Sequence, residues 1–162
     1  MTEVKNQDSY TALRSLGNTL RQLHRDVSDE ELIHDHRSLM DKELDWQALA
    51  KAAKPYKFKA QLLRPTAEEL REVPVPSVIR FKNGRYAMLG VNNDESVFFL
   101  DPQQNHPVAM PTAMFHKVWT GEVMIFTPQL NWAEIRRRYN LDWFYDVILH
   151  YKKFFFEALM AS

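Results

Sequence analysis

Apolar residues recur at three- and four-residue spacing near the start of the chain. Leu13, Leu16, Leu20 and Leu23, with Tyr10 and Thr19, share one face, and Arg14, Asn18, Arg21 and Arg25 lie elsewhere. The spacing predicts an amphipathic helix over 9–25, weakened at Gly17 by about 1 kcal/mol relative to alanine. Ser28-Asp29-Glu30-Glu31 is a capping-box pattern and predicts a second helix to about His36. A third runs from Trp46 to Lys54 behind Asp45, with Trp46, Leu49, Ala50 and Ala53 as its inner face, and stops at Pro55. Lys57 to Leu63 alternates and reads as a strand. Thr66-Ala67-Glu68-Glu69 is a second capping box, opening one short helix to about Val73 before Pro74-Val75-Pro76.

From Ser77 to Asp101 the pattern changes to three apolar, partly β-branched runs. They are separated by Lys82-Asn83-Gly84 and by Asn92-Asn93-Asp94-Glu95, which predicts a three-stranded antiparallel meander. In Asn-Gly both residues tolerate positive φ. Residues 102–107 read as a loop, Thr112 to Val118 as a short helix, and Glu122 to Thr127 as a last strand after Gly121. Helices precede an antiparallel sheet, so the fold class is α+β over residues 1–128.

Residues 129–162 differ. Asn131 to Arg138 reads as a short basic helix ending in Arg136-Arg137-Arg138. From Leu141 to about Leu159 runs an aromatic-rich helix with one narrow polar stripe, Asp142, Asp146, His150, Lys153 and Glu157. Two readings stand. The helix packs on the domain or dimerises. Or it lies in a membrane interface, with Trp143, Phe144, Tyr151 and Phe155 at headgroup depth and Lys152 and Lys153 near anionic lipid.

Composition narrows the function. The 162 residues include no cysteine, which excludes disulfides, thiolate metal sites and a thiol nucleophile. Lys plus Arg and Asp plus Glu balance at 21 each, so no overall positive charge argues for nucleic acid. The first residues carry no apolar signal core, which reads as a chain that is not exported. No apolar run reaches the roughly 18–20 residues of a membrane span. No Gly-rich phosphate loop is present, and no cofactor is expected. His34 and His36 sit two apart on a helix and point away from each other, so no metal site is expected.

The order of several segments resembles a known family. They are Tyr10-Thr11-Ala12-Leu13-Arg14-Ser15-Leu16, Val27-Ser28-Asp29-Glu30-Glu31-Leu32, Val75-Pro76-Ser77-Val78-Ile79, Asn83-Gly84-Arg85-Tyr86 and Phe99-Leu100-Asp101. Together they are similar to the N-terminal domain of type I secretion ABC transporters of the haemolysin-exporter kind. That domain is related to the papain-like cysteine peptidases that clip double-glycine leaders from bacteriocins. The segment from Leu141 to Glu157 resembles the stretch leading into those transporters' first membrane span. The resemblance implies a papain-like fold, N-terminal helices on an antiparallel sheet, followed by the amphipathic helix.

In the active peptidases a cysteine, a histidine and an aspartate form the site, since the chemistry needs a thiolate, a base and a carboxylate that orients the base. By the resemblance these positions fall on Thr11, Tyr86 and Asp101. Only the aspartate matches. Gln7 lies too close to Thr11 to be given an oxyanion role. A threonine hydroxyl with no adjacent base is not a nucleophile at neutral pH, and a phenol of ordinary pKa about 10 is a poor general base.

The residues also have structural readings. Thr11 reads as a helix-start cap, Tyr86 as a half-buried strand aromatic and Asp101 as a strand-to-turn residue. As cleft residues, Tyr86, Arg80 and Thr11 are the candidate substrate contacts, with an Arg80–Tyr86 stack if the two approach.

The resemblance implies a non-catalytic domain that binds an unfolded secreted polypeptide on the cytoplasmic face of the bacterial inner membrane. Its other partners would be the rest of the transporter, including the nucleotide-binding ATPase domain, and the membrane surface. The alternatives are a residual or altered peptidase using Asp101, and a free-standing membrane-associated adaptor.

Overall fold

The computed structural model describes residues 2–23, 27–37, 45–104 and 106–129. Helix α1 spans Thr2–Gln22, beginning well before the expected start at residue 9. The first turns lack the leucine stripe, so apolar spacing could not reveal them. Ala12, Leu13, Leu16 and Leu20 are fully buried, as the stripe requires.

Helix α2 (Asp29–Asp35) starts at Ser28, whose hydroxyl accepts the Glu30 N–H at 3.2 Å. Gly17 has a use that the sequence concealed. A β-carbon there would stand 2.9 Å from an Asp29 carboxylate oxygen, so glycine lets α2 approach α1 closely. Asp29 then pairs with Arg21 at 2.8 Å and with Arg14 at 3.4 Å.

Helix α3 (Trp46–Ala53) is capped by Asp45, whose carboxylate accepts the Ala48 N–H at 2.7 Å. Its buried face is Trp46, Leu49, Ala52 and Ala53; Ala50, expected inside, only flanks the core. The box at Thr66 forms reciprocally, with Glu69 N–H donating to Thr66 Oγ1 at 3.3 Å and Thr66 N–H to Glu69 Oε2 at 2.8 Å. It leads into a single 3-10 turn, Glu69–Glu72, which the prolines end.

Six strands form one antiparallel sheet in the order β1-β6-β2-β3-β4-β5. They are β1 (Phe58–Leu63), β2 (Ser77–Phe81), β3 (Tyr86–Asn92), β4 (Ser96–Leu100), β5 (Pro107–Pro111) and β6 (Trp119–Pro128). The expected meander is β2-β3-β4. Strand β5 was not anticipated. It begins and ends in proline, which reads as loop but is tolerated on the edge of a sheet. Strand β6 starts three residues earlier than expected, directly after helix α4 (Thr112–Val118).

Both faces of the central strands are covered, and alternation divides two cores. Val78, Tyr86, Met124 and Phe126 meet α1, α2 and α3. Ile79, Ala87, Leu89, Val97, Phe99 and Val123 meet Leu70, Phe115 and Trp119 on the other side.

The β2–β3 turn differs from a two-residue Asn-Gly turn. Gly84 N–H donates to the Phe81 carbonyl at 2.9 Å, Phe81 N–H donates to the Arg85 carbonyl at 2.8 Å, and only Gly84 has positive φ, at 91°. This is a three-residue loop, Lys82-Asn83-Gly84, ending in a left-handed residue. A β-carbon on Gly84 would also collide with the Asp8 carboxylate of α1. Gly84→Ala is therefore expected to destabilise the fold by about 1–3 kcal/mol, combining backbone strain with displacement of the Asp8 side chain. Urea unfolding measures it, and a change within error of zero would contradict this account of the turn.

Candidate functional site

Thr11 and Tyr86, 75 residues apart, meet. Thr11 lies inside α1 rather than at its start, so it caps nothing. Its Oγ1 donates to the Asp8 carbonyl at 2.8 Å and accepts the Tyr86 N–H at 3.2 Å. The strand ladder explains the second bond. The β3–β4 pairing ends at Met88–Leu100, short of Tyr86, so that amide has no strand to donate to. A buried amide needs an acceptor, and the threonine hydroxyl is one. Thr11 is fully buried and Tyr86 is 1 % exposed. Tyr86 is therefore a core residue rather than a half-buried one, because the strand carrying it is covered on both faces.

The Tyr86 ring also meets Trp46 and Arg80. Trp46 packs edge-to-face on it, with centroids 5.1 Å apart and planes at 81°. The Arg80 guanidinium carbon lies 5.3 Å from its centroid. Trp46 is fixed in turn by its indole N–H, which donates to Glu122 Oε2 at 2.7 Å, while Arg64 donates to Oε1 at 3.0 and 3.2 Å. The Trp46 bond, with the Arg64 contacts, holds the Glu122 carboxyl below its usual range against a desolvation effect that raises it. Burial pushes the Tyr86 phenol up to about 12, with Arg80 opposing the rise.

Asp101 directly follows β4 and is 8 % exposed. Both its carboxylate oxygens accept from Arg85 Nη2, at 2.6 and 2.8 Å, and one also accepts the Gln103 N–H at 2.9 Å. It is thus at once a turn residue and half of an ion pair. Arg14 closes the same corner by donating to the Pro102 carbonyl at 3.1 Å. Tyr86 and Asp101 both border a cleft of about 410 Å³ whose walls include Phe81, Phe99, Val108 and Met110.

Arg85, Trp46 and Glu122 went unassigned in the sequence. Arg85 stands beside Tyr86 in the Asn83-Gly84-Arg85-Tyr86 segment, and Trp46 was read only as an inner-face residue. Glu122 lies 76 residues from Trp46, and no local pattern joins them. His34 is exposed and 3.6 Å from Asp35. Among the described residues no group of three or more acidic or histidine side chains is placed to hold a metal. Trp143, Phe144, Tyr151, Lys152, Lys153 and Phe155, with both helices expected past residue 129, lie outside the described residues.

The helix-covered antiparallel sheet is similar to those of solved peptidase C39 domains, a papain-like fold. Residues 2–131 match the Peptidase C39 family, and the chain belongs to it. The chain is 25 % identical over 146 residues to the Alpha-hemolysin translocation ATP-binding protein HlyB of Proteus vulgaris, covering 88 % of this chain and 20 % of that one. It thus spans about a fifth of the length of such relatives. Two solved structures share the fold. One is the N-terminal peptidase C39 like domain of the toxin secretion ATP-binding protein from Vibrio parahaemolyticus, with TM-score 0.64 at 21 % identity, covering 74 % of this chain and 97 % of that one. The other is a double glycine motif protease from an AMS/PCAT transporter in complex with the leader peptide. Its TM-score is also 0.64 at 21 % identity, covering 73 % of this chain and 84 % of that one.

Thr11→Val keeps the volume but leaves the Tyr86 amide without its acceptor, and is expected to cost about 1–3 kcal/mol. Thr11→Ser keeps the hydroxyl and is expected to cost clearly less. Equal losses in denaturant titrations would show that the hydroxyl carries nothing.

Tyr86 also sets an alkaline limit. Its folded pKa is raised, so stability is complete below pH 10 and falls as pH rises from about 10 to 12, where the unfolded chain loses the proton first. The expected loss is about 2–3 kcal/mol. Tyr86→Phe should flatten that decline, and an unchanged profile would contradict the assignment.

Proposed function

We propose that this chain is a non-catalytic, peptidase-like domain that recruits an unfolded polypeptide for a type I secretion ABC transporter. It would work on the cytoplasmic face of the bacterial inner membrane, beside the transporter's nucleotide-binding domain. Residues 129–162 would lead to the membrane surface.

The observation that carries this reading is the Thr11–Tyr86 contact. By the family resemblance these are the nucleophile and base positions. Here they hold an alcohol bonded to two backbone groups and a residue whose phenol keeps its proton at neutral pH. Neither can generate a nucleophile at neutral pH, and the chain contains no cysteine to take over. Asp101, which would orient an imidazole, is instead neutralised by Arg85. Relatives are named as translocation ATP-binding proteins for haemolysin and toxins, which supports export as the setting. A neighbour of the same fold was solved with a leader peptide, which supports polypeptide binding. Of the candidate contacts, Tyr86 borders the cleft, while Arg80 is partly exposed and stacks on the Tyr86 ring without being among the residues that line it. Thr11 and Tyr86 would shape the site from within.

Membership of a peptidase family, and the retained Asp101, favour a second reading as an altered peptidase. One experiment separates the two. The chain is titrated with a double-glycine leader peptide and with a permanently unfolded polypeptide, followed by NMR and by mass spectrometry over hours. Saturable shifts around the cleft without cleavage are expected. Cleavage that Asp101→Asn abolishes would establish the peptidase instead. Absence of any shift at high micromolar polypeptide would overturn recruitment.

A further inference from the structure

The cleft bordered by Tyr86 and Asp101 is unevenly charged. Lys82, Arg85 and Lys117 line it, against one carboxylate, Asp101. That carboxylate already has both oxygens on Arg85. Two lysines are therefore left without an opposing acid among the lining residues, and both are exposed or partly so.

They also gather at one rim. The Lys82 ammonium donates to the Lys117 carbonyl at 2.8 Å, and the Lys82 N–H donates to the Val118 carbonyl at 2.8 Å. This fixes the β2–β3 turn against the end of α4. Offsetting the carbonyl end of a short helix accounts for the Lys82 hydrogen bond. It does not account for a second lysine, Lys117, among the same lining residues. Below the rim the walls are apolar, with the Phe81 and Phe99 rings 5.2 Å apart and Val108 and Met110 on the edge strand. The polar amides of Asn83 and Gln104 also line it.

Resting on the polypeptide-binding reading, we propose that this cleft selects peptide segments in which bulky apolar side chains stand beside carboxylates. The apolar side chain fills the volume between Phe81, Phe99 and Met110, and the carboxylates lie along Lys82 and Lys117. Lysines suit a ligand of variable sequence, because each is a point charge on a flexible stem rather than a rigid fork. A phosphate would want converging N–H groups at a helix start, whereas this rim has the carbonyl end of α4.

The test uses the 162-residue chain and three fluorescently labelled peptides of equal length. One carries leucines flanked by glutamates, one the same leucines flanked by glutamines, and one the glutamates with serines for leucines. At low salt the first is expected to bind about five- to tenfold more tightly than the second, as expected for one or two partly screened ion pairs. The margin should close at about 0.5 M salt and in Lys117→Glu, whose melting temperature checks that the fold is kept. The third peptide should bind more weakly than the first, as should the first to Met110→Ser.

Equal binding of the first two peptides, or a preference that survives Lys117→Glu, would overturn the acidic selectivity and leave polypeptide recruitment standing. Failure of all three to bind, together with failure of the permanently unfolded polypeptide, would remove recruitment itself. Binding to anionic phosphatidylglycerol vesicles in place of the first peptide, lost in Lys117→Glu, would overturn the proposal in favour of a membrane contact.

Discussion

The amide of Tyr86 has to be satisfied in a place where the sheet offers nothing. Strand β4 pairs with β3 as far as Met88 and stops, and helix α1 closes over the gap. A buried N–H without an acceptor costs about as much as several ordinary surface substitutions together. The hydroxyl of Thr11 removes that cost and so ties the first helix to the middle of the sheet. Other contacts serve the same junction. Gly84 makes room for Asp8 at the turn, and Arg14 bonds the carbonyl of Pro102 just beyond the end of β4. Each joins α1 to the corner where β3 and β4 part.

That constraint also limits chemistry at the same spot. A hydroxyl donating to one backbone group and accepting from another is held in place, and freeing it would reopen the gap under α1. The Tyr86 ring is buried between Trp46 and Arg80, and burial raises the pKa of its phenol rather than readying it to accept a proton. The Trp46 indole is itself anchored by Glu122, which Arg64 holds in turn. Thr11 and Tyr86 are therefore integrated into the first core, where they stabilise packing.

What could be read in the sequence was local. Capping at Ser28, Asp45 and Thr66 needs only neighbours a few residues apart, and all three caps form. The meander was legible because its turns carry Asn and Gly between apolar runs. Thr11 was misread as a cap because the first turns of α1 are polar and leave no periodic trace. Ala50 and Ala52 are chemically alike, and which of them faces inward depends on the tilt of α3. Strand β5 was hidden by its prolines, whose tolerance depends on an edge position that only the sheet order reveals. The pairs Trp46–Glu122 and Arg85–Asp101 span 76 and 16 residues and exist only because strands bring them together.

The alternation of side chains through β2 and β3 has one more consequence. Val78 and Tyr86 point to the helix-covered core, while Ile79, Ala87 and Leu89 point to the other. The walls of the cleft, Phe81, Phe99, Val108 and Met110, belong with that second core. Thr11 and the apolar cleft walls thus belong to opposite sides of the sheet, while Tyr86 and Asp101 border the cleft. A change at Thr11 acts through one core, and a change at Met110 acts through the other. A substitution at Thr11 therefore leaves the apolar walls of the cleft in place. A fold of this kind can change residues in one core without losing a shaped surface over the other.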